Sequence, residues 1–366
     1  MWAGTPVCLL WKIKIWTTEQ TLLRNDIVKT KKTLLLRNII ILVLSLIFLV
    51  GGAGCIYADQ LLNRINFVTP GTAVSAGGTD SQSDGSISSG NAKAGIVGGM
   101  YHDDAVKNIL LLGTDDYQKN DVGRSDSMML VSIDSRHKKL KVTSFMRDMY
   151  VAIPGYGSNK LNAAYSLPGG KEKGARKVVS TIEANFGIDI DNFVIVDFSA
   201  FPKIIDLLGG VPMTLTNGEA GLVNAYSGDS KKVRAGENNL TGLQARYYSR
   251  IRAIGNDQGR TARQRKVFSS IVNKMKTSNL MQINSVLAES MYLVTTNMTK
   301  DGFVSLAAGS LTYLNYPVSQ LQIPGDDEYT DKTLDVGACL VPDLEKCKQT
   351  LATFIYESDI PSKTYS

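Results

Sequence analysis

The fold is decided by residues 192–215, which read NFVIVDFSAFPKIIDLLGGVPMTL. The apolar run NFVIVDF is typical of a short buried strand. SAFPKIIDLLGG then predicts a helix that ends at its pair of glycines, and VPMTL predicts a further strand. Strand, helix and strand in succession indicate an α/β fold in which helices are layered on a sheet.

The residues before this segment extend the same alternation. The turn Ser135–Lys138 is predicted to join two of the earlier strands as a hairpin. Residues 169–187 predict a helix that ends at Gly187, with Val178 and Ile182 on its apolar face. The three predicted strands are KNILLLG at 107–113, DSMMLVSID at 126–134 and KLKVTSFMRD at 139–148.

The residues after this segment predict mainly helices. Thr241–Arg252 and Thr261–Lys276 have helical spacing, and LQIP at 321–324 predicts one more strand. The order of the elements beyond about residue 280 stays open at this level. We therefore expect one folded domain over residues 105–358, followed by a short tail at 359–366.

Residues 39–58 form an uncharged apolar stretch, IIILVLSLIFLVGGAGCIYA. Roughly 20 helical residues cross a bilayer core, so we predict one transmembrane helix over residues 38–58. A buried core helix and a cleaved signal peptide are the alternatives. Basic side chains dominate residues 1–37, and such flanks stay in the cytoplasm. We expect a single-pass cell-membrane protein with a cytoplasmic N-terminus and an extracellular domain.

Residues 59–104 differ sharply in composition from the segments on either side. They contain PGTAVSAGGTDSQSDGSISSGNAKAGIVGG, which offers almost nothing to bury. Such a stretch cannot offset the entropy lost on ordering. We therefore predict a flexible extracellular linker that holds the domain away from the membrane but lets it reach back.

The composition excludes several kinds of active site. The two histidines, His102 and His137, are too few for a serine–histidine nucleophile or a histidine zinc site to be expected. No Walker loop or dinucleotide-binding glycine motif is present. The net charge of +6 favours anionic partners, although an extracellular domain is not expected to bind nucleic acid. Cys339 and Cys347 fit either a disulfide or two buried thiols.

Charged residues collect at the ends of the predicted strands. Asp115 follows the first strand, and Asp126 stands with Arg124 at the entrance of the second. Arg147 ends the third strand. Ligands of open α/β sheets bind at strand ends, and two carboxylates there would suit a hard cation such as Mg²⁺. Turn-forming aspartates are the alternative, and they are common.

A second concentration of charge lies in ARYYSRIRAIGNDQGRTARQR, residues 245–265. It holds one acidic residue, Asp257, and these arginines: Arg246, Arg250, Arg252, Arg260, Arg263 and Arg265. The guanidinium fork binds phosphate in bidentate fashion. With no nucleophile constellation visible, we interpret the charged residues as a metal-assisted, arginine-lined phosphate site with an aspartate as base. A solvated basic face is the alternative.

Seven segments stand out between roughly residues 105 and 275: NILLLGTD, RSDSMMLVSID, RDMYVAIPG, KLNAAYSLPGG, VDFSAFPKIIDLLGGV, LTGLQARYYSRIR and NDQGRTARQR. In their order and spacing they resemble the LytR-CpsA-Psr family. Met146 departs from the family, which usually has proline before the Arg147–Asp148 pair, and we expect this change to leave Arg147 unaffected.

The resemblance implies a fold and an activity. The fold would be a layered αβα domain with a central mixed sheet, preceded by one transmembrane helix. Members of the family are phosphotransferases that attach a glycan polymer, such as teichoic acid or capsule, to peptidoglycan. They take the polymer from an undecaprenyl-pyrophosphate carrier and form a phosphodiester bond. The resemblance leaves open which polymer this chain carries.

The resemblance also implies roles for the matched residues. Asp115 and Asp126 would hold Mg²⁺. The residues of the catalytic group would be Asp126, Arg147 and Asp257. The residues that bind the pyrophosphate would be Arg124, Arg147, Arg250, Arg252, Arg260 and Gln264.

Two other functions fit the same residues. A lipid-pyrophosphate phosphatase would use the same site without binding an acceptor glycan. A non-enzymatic, membrane-bound regulator of envelope processes is the other. Against it, residues 1–37 are too few for a helix-turn-helix domain, and the charged clusters all lie in the predicted extracellular part.

Overall fold

The computed structural model describes residues 59–68, 95–97, 100–114, 123–197, 200–278, 282, 285–286, 288–289 and 291–357. The chain divides into two units, Met1–Leu61 and Leu62–Ser366, and every element named below belongs to the second. Across these described ranges, no helix combines the length and apolar composition that crossing a bilayer requires. The tail predicted at 1–37, the span predicted at 38–58 and the tail predicted at 359–366 fall outside them.

The strands of the described ranges are β1 (Asn66–Phe67), β2 (Gly95–Val97), β3 (Met100–His102), β4 (Val106–Thr114), β5 (Ser125–Asp134), β6 (Lys139–Phe145), β7 (Tyr150–Ile153), β8 (Gly157–Lys160), β9 (Asn192–Asp197), β10 (Val211–Leu215), β11 (Gly236–Leu240), β12 (Val294–Thr296), β13 (Val318–Ile323), β14 (Tyr329–Leu334) and β15 (Gly337–Pro342). Seven of these strands form a mixed sheet at the centre of the second unit, in the order β1-β12-β9-β4-β5-β6-β13.

The strand directions bring four strand ends to one edge of this sheet. β4 is parallel to β9, β6 is parallel to β13, and β5 runs antiparallel between β4 and β6. The C-terminal ends of β4, β6, β9 and β13 therefore share an edge with the start of β5. We call this edge the upper edge, and it is where ligands of such sheets bind.

Helices cover both faces of the sheet. The helices whose two ends both lie in the described ranges are α1 (Ala163–Ser166), α2 (Lys171–Phe186), α3 (Ala200–Leu207), α4 (Asn217–Tyr226), α5 (Gly242–Tyr248), α6 (Asn256–Thr277), α7 (Lys300–Tyr313) and α8 (Leu344–Tyr356), with a 3₁₀ turn at Met291–Leu293. The predicted αβα layering and the central mixed sheet are confirmed.

The layering follows from side chains that alternate along the strands. Leu110 and Leu112 of β4 point into a core that contains residues of α2 and α8. Ile109, the residue before Leu110, belongs to a core on the opposite face, with residues of α6 and α7 packed around it. A third core joins α3, α4 and α5 to the antiparallel pair of β10 and β11. We call this last group of elements the helical lobe.

Several predicted boundaries agree with the structure. Ser135–Lys138 turns between β5 and β6, and Lys138 takes the positive φ of 54° that this turn requires. Gly187 ends α2 in the left-handed conformation, at φ 66°, where glycine carries no Cβ penalty. The strand predicted at 321–324 is the C-terminal part of β13.

Two helix boundaries differ from prediction in a way that matters for the arginines. α5 ends at Tyr248, rather than continuing to Arg252, and α6 begins at Asn256, rather than at Thr261. Gly255 precedes α6 with φ 75°, a conformation that breaks a helix and that glycine adopts readily. Arg252 therefore lies in a short loop between the two helices.

The stretch predicted as a linker contributes to the fold at its start and its end. Asn66–Phe67 pairs in parallel with β12 and so forms an edge of the central sheet. Met100–His102 pairs with Gly95–Val97. Average composition over the predicted linker, residues 59–104, is dominated by glycine and serine, and it hides the apolar segment around Ile65, which is buried.

Cys339 and Cys347 are both buried free thiols. The Cys339 thiol faces the carbonyl of Lys332 at 3.4 Å. The Cys347 thiol faces Glu328, and burial raises the pKa of this thiol to about 12, with a contribution from the nearby charge of Glu328. Of the two alternatives left by the sequence, the structure has the pair of thiols.

Glu183 gives the fold a predictable dependence on pH. Burial raises the pKa of this carboxyl to about 7 from 4.5, against the hydrogen bond that the Ile190 amide donates to it. Because the folded pKa is the higher one, the folded state binds more protons between about pH 4.5 and 7, and its stability falls as the pH rises through that window. The Glu183→Gln variant keeps the acceptor oxygen but not the charge.

We therefore expect Glu183→Gln to raise the free energy of unfolding by about 1–2 kcal/mol at pH 8. At pH 4 we expect no gain, because the wild-type carboxyl is then already protonated in both states. Urea denaturation at the two pH values measures the difference. An equal effect at both would show that the carboxyl is not desolvated.

Candidate functional site

The register of the β5–β6 hairpin places Asp126 beside Arg147. Met128 pairs with Phe145 in this antiparallel ladder, so residues whose numbers have the same sum stand opposite each other. Asp126 and Arg147 continue that register two residues beyond the last paired residues, at the upper edge. Arg147 Nη1 donates a hydrogen bond to Asp126 Oδ1 at 2.7 Å.

Arg147 contacts three carboxylates from three segments of the chain. In addition to Asp126, its Nε lies 3.3 Å from Asp148 Oδ2 and 3.6 Å from Asp257 Oδ1. Burial lowers the pKa of Arg147, but the Asp126 hydrogen bond and the charges of the three aspartates outweigh burial, so the pKa is raised. Arg147 is therefore a fixed cation at the centre of the site.

Asp257, in the first turn of α6, contacts three arginines. Arg260 Nη2 donates to Asp257 Oδ2 at 3.0 Å, and Arg252 Nε lies 3.4 Å from Asp257 Oδ1. The third is Arg147, whose Nε lies 3.6 Å from the same Oδ1. The side chain of Arg260 is 4% exposed and that of Arg252 is 48% exposed. Burial and the neighbouring arginines lower the pKa of Arg260 despite Asp257. One carboxylate thus gathers cations from three places in the sequence.

Three nearly inaccessible polar atoms of this cluster have no hydrogen-bond partner among the described residues: Arg147 Nε, Arg260 Nε and Asp257 Oδ1. The ion-pair distances of 3.3–3.6 Å around them are too long or poorly directed for hydrogen bonds. Unsatisfied buried donors are unfavourable unless a ligand meets them. The two N–H groups point to an anion with several oxygen acceptors.

Arg263 holds the loop that carries Arg252. Its guanidinium donates to Glu219 Oε1 at 2.8 Å, to the Ile251 carbonyl at 3.0 Å and to the Ile254 carbonyl at 2.8 Å. The Arg263 side chain is buried. Of the arginines between 246 and 265, this one therefore has a structural role, and the loop geometry depends on it.

The other predicted site residues lie at or near the same edge. Arg124 is exposed immediately before β5, and Arg250 is exposed just after α5. Gln264 is half-buried on α6, on the helix face of Asp257 and Arg260, since residues three and seven positions apart share a face. Asp115 lies outside the described residues.

Two further residues belong to the cluster. Asp148 contacts Arg147, and Lys160 Nζ lies 3.4 Å from Asp148 Oδ1. The sequence alone indicates no role for either residue: Asp148 is simply the neighbour of Arg147, and Lys160 is the first residue of KLNAAYSLPGG. The signal that identifies Lys160 is structural, because pairing of Lys160 with Tyr150 across β7 and β8 brings it back to the end of β6.

The described residues fit a hard cation at this edge. Asp126 uses Oδ1 for Arg147, and within the described ranges its other oxygen has no partner. The buried hydroxyls of Thr114 and Ser125, which pair across β4 and β5, have none there either. Mg²⁺ binds through one or two carboxylates together with substrate phosphates.

A second group of possible metal ligands, Asp134, His137 and Glu357, lies at the opposite edge. The ammonium of Lys141 occupies its centre, 2.7 Å from Asp134 Oδ2 and 3.1 Å from Glu357 Oε1. Lys141 and Asp134 are both buried. The group is therefore a buried ion-pair network that attaches the end of α8 to the sheet.

Known proteins resemble this chain in sequence and in fold. The sequence profile of the LytR_cpsA_psr family matches residues 72–353. The regulatory protein MsrR of Staphylococcus aureus is 30% identical over 268 residues, which cover 71% of this chain and 77% of that protein. The polyisoprenyl-teichoic acid–peptidoglycan teichoic acid transferase TagV of Bacillus subtilis is 32% identical over 232 residues, or 60% of this chain and 57% of that protein.

Among solved structures, one similar protein carries a lipid. The LytR-CPS2A-psr family protein YwtF (TagT) of Bacillus subtilis, with bound octaprenyl pyrophosphate lipid, aligns with a TM-score of 0.53 and 25% identity. The alignment covers 69% of this chain and 91% of that one.

Proposed function

This chain belongs to the LytR-CpsA-Psr family, and we propose that it transfers a glycan polymer from an undecaprenyl-pyrophosphate carrier to peptidoglycan. The observation that carries the proposal is the sharing of Asp257 by Arg147, Arg252 and Arg260. It provides a preformed cationic site whose unpartnered N–H groups match the oxygens of a pyrophosphate. Relatives that are named as teichoic acid transferases, and one whose structure holds a polyprenyl pyrophosphate, support it.

The proposed reaction is the attack of an acceptor hydroxyl oxygen on the phosphorus that bears the glycan. A new phosphorus–oxygen bond forms, and the bond to the bridging pyrophosphate oxygen breaks. The carrier leaves as its monophosphate, and the hydroxyl proton passes to a carboxylate. Such a reaction needs positioning and charge neutralisation more than covalent help.

The residues of the cluster have distinct proposed roles. Arg147, Arg252 and Arg260, together with Arg124, Arg250 and Gln264, bind and orient the pyrophosphate. Asp126, at the start of β5, is the proposed metal ligand, and a carboxylate of the cluster accepts the hydroxyl proton. Asp257 positions the three arginines before substrate arrives, which avoids reorganisation during the reaction.

We include Mg²⁺ in the proposal, held by Asp126 together with Asp115. When bound there, the ion would neutralise charge that develops on the phosphate oxygens. The support is the free oxygen of Asp126 beside buried hydroxyls at the same edge. We also propose that the chain is anchored in the cell membrane by residues 38–58, on the strength of their uncharged sequence.

A transfer assay tests the function. We expect the full chain, in detergent micelles, to move a glycan from a polyprenyl-pyrophosphate carrier to peptidoglycan oligosaccharides, and we expect EDTA to stop the reaction. Mass spectrometry of the products separates the alternatives. Glycan phosphate released into water, with no product on the acceptor, would identify a phosphatase. Failure to bind the carrier at all would favour a regulator without enzymatic activity.

A further inference from the structure

The chain beyond β13 passes directly beside the ion pairs that Arg147, Arg252 and Arg260 make with Asp126 and Asp257, which we call the arginine–aspartate cluster. Because β6 and β13 are parallel, they end together at the upper edge, where the Met146 amide donates to the Ile323 carbonyl at 2.9 Å. Farther along, the Leu340 amide of β15 donates to the Asp148 carbonyl at 3.0 Å. The residues between these two contacts, Gly325–Leu340, therefore form a side of the site. We call this segment the C-terminal wall.

A polar triad links the wall to the helix that carries Asp257. The side-chain amide of Gln258, the next residue, donates to Asp326 Oδ1 at 3.0 Å and to the Tyr329 hydroxyl at 3.0 Å. Three groups remain for a ligand, because none has another hydrogen-bond partner among the described residues: the second oxygen of Asp326, the amide oxygen of Gln258 and the hydroxyl proton of Tyr329. Asp326 is exposed, and the other two side chains are half-buried.

The loop that presents the triad is held from below by a buried carboxylate. Glu328, which is 4% exposed, accepts hydrogen bonds from the Gly325 amide at 2.8 Å and from the Thr350 hydroxyl of α8. Its own carbonyl accepts from the Asp343 amide at 2.7 Å. The positions of Asp326 and Tyr329 are therefore fixed by the core rather than by each other, which is what a binding site requires.

The charge of the wall is opposite to that of the arginines. The exposed charged residues of Gly325–Leu340 are Asp326, Asp327, Asp331, Lys332 and Asp335. A phosphate-rich chain is repelled by this surface, whereas hydroxyl groups bind well to a carboxylate, an amide oxygen and a phenol. The arginine cluster and the wall thus suit two different ligands, the first anionic and the second neutral and rich in hydroxyls.

We propose that the triad of Gln258, Asp326 and Tyr329 binds sugar hydroxyls of the acceptor glycan, an inference that rests on the proposed function. Gln258 of the triad is the residue after Asp257 on α6. A sugar held by the triad would therefore have a neighbouring hydroxyl close to the pyrophosphate site. The assignment gives the part of the chain after residue 280 a role that its sequence did not indicate.

Steady-state transfer by the full chain tests the proposal with two conservative variants, Tyr329→Phe and Asp326→Asn. Each removes one ligand-binding group with almost no change of volume. We expect the KM for a peptidoglycan oligosaccharide to rise about tenfold, which corresponds to about 1.4 kcal/mol. The Kd for bare polyprenyl pyrophosphate and the thermal midpoint should stay close to the wild-type values.

Asp327→Asn is the matched control, since it makes the same change at the adjacent residue. Asp327 is 82% exposed at its side chain and pairs with Lys346 at 2.6 Å, so its variant should leave the acceptor KM within about twofold of wild type. An unchanged KM in both test variants, or an equal loss in the control, would overturn the proposal. So would weaker binding of a glycan-bearing carrier with no change for the acceptor, because the triad would then hold the donor's sugar.

Binding of the oligosaccharide alone, followed by calorimetry, keeps this inference separate from the proposed function. If wild type binds the oligosaccharide and Tyr329→Phe binds it about tenfold more weakly, the triad is a sugar site even in a chain that fails to transfer. If wild type transfers the polymer but both variants bind the oligosaccharide as wild type does, the function stands and the triad does not.

Discussion

Replacing Arg147 with lysine should lower the rate of glycan transfer by about 10²–10³, the range seen when one preorganised donor to a developing charge is removed. The guanidinium contacts Asp126 through Nη1 and both Asp148 and Asp257 through Nε. A lysine ammonium keeps the charge but is a single point, so it reaches one of these carboxylates and loses the fork that matches phosphate. Single-turnover transfer measures the loss, and the thermal midpoint checks the fold.

Two other arginines calibrate that result. Arg252→Lys should weaken the binding of polyprenyl pyrophosphate at least about tenfold, or about 1.4 kcal/mol, and less severely than Arg147→Lys because Arg252 is half exposed. Arg265→Lys is the matched control, since Arg265 on the same helix faces Gln322 of β13. If all three substitutions weaken the binding of polyprenyl pyrophosphate equally, the site responds only to total charge and not to guanidinium geometry.

Replacing Glu219 with alanine should reduce the free energy of unfolding by about 3–5 kcal/mol, the usual penalty for leaving a buried charge without its partner. Arg263 is buried, and Glu219 is its carboxylate partner at 2.8 Å. The same substitution removes the capping box of α4, in which Glu219 accepts from Thr216. Urea denaturation at pH 7 measures the loss. The control is Glu237→Ala, which removes an exposed carboxylate from β11.

A double substitution, Glu219→Leu with Arg263→Met, separates stability from positioning. Apolar side chains of similar size often replace a buried ion pair without loss of stability, so we expect much of the free energy of unfolding to return. The carbonyls of Ile251 and Ile254 would still lack the donors that Arg263 supplies. Binding of polyprenyl pyrophosphate should therefore stay weak in the double variant. Restored binding would show that the loop carrying Arg252 needs no such support.

The predictable part of the fold is the part whose signals are local. The strands and helices that were predicted between residues 106 and 215 follow apolar periodicity and glycine punctuation, and their bounds agree with prediction within a few residues. The short elements β7, β8 and α1 have no such signal and were not predicted. The predicted start of α6, Thr261, is wrong because helix propensity alone does not show that the helix begins directly after Gly255. The pairing of Asn66–Phe67 with β12 joins segments more than 200 residues apart, and no local pattern encodes such a contact.

The site divides in the same way. Arg147 and Asp126 could be assigned together because a hairpin register links them, and the family resemblance supplied the arginines after α5. The separation of Arg263 from Arg252 could not be read from sequence, since both occur in one basic run and differ only in burial. Gln258, Asp326 and Tyr329 stayed unassigned because the triad forms across about 70 residues, between segments that carry no shared motif.

The β5–β6 hairpin also divides the assembly of the site in time. Asp126 and Arg147 close a loop of about 20 residues, whereas Asp257 must return to them across more than 100, and the entropy of closure grows with that length. Short-range contacts form faster than long-range ones, so the hairpin half of the site forms before α6 packs against it. A ligand that binds both halves stabilises only the completed arrangement. The bound carrier would therefore hold the segment that folds first against the segment that packs on it later.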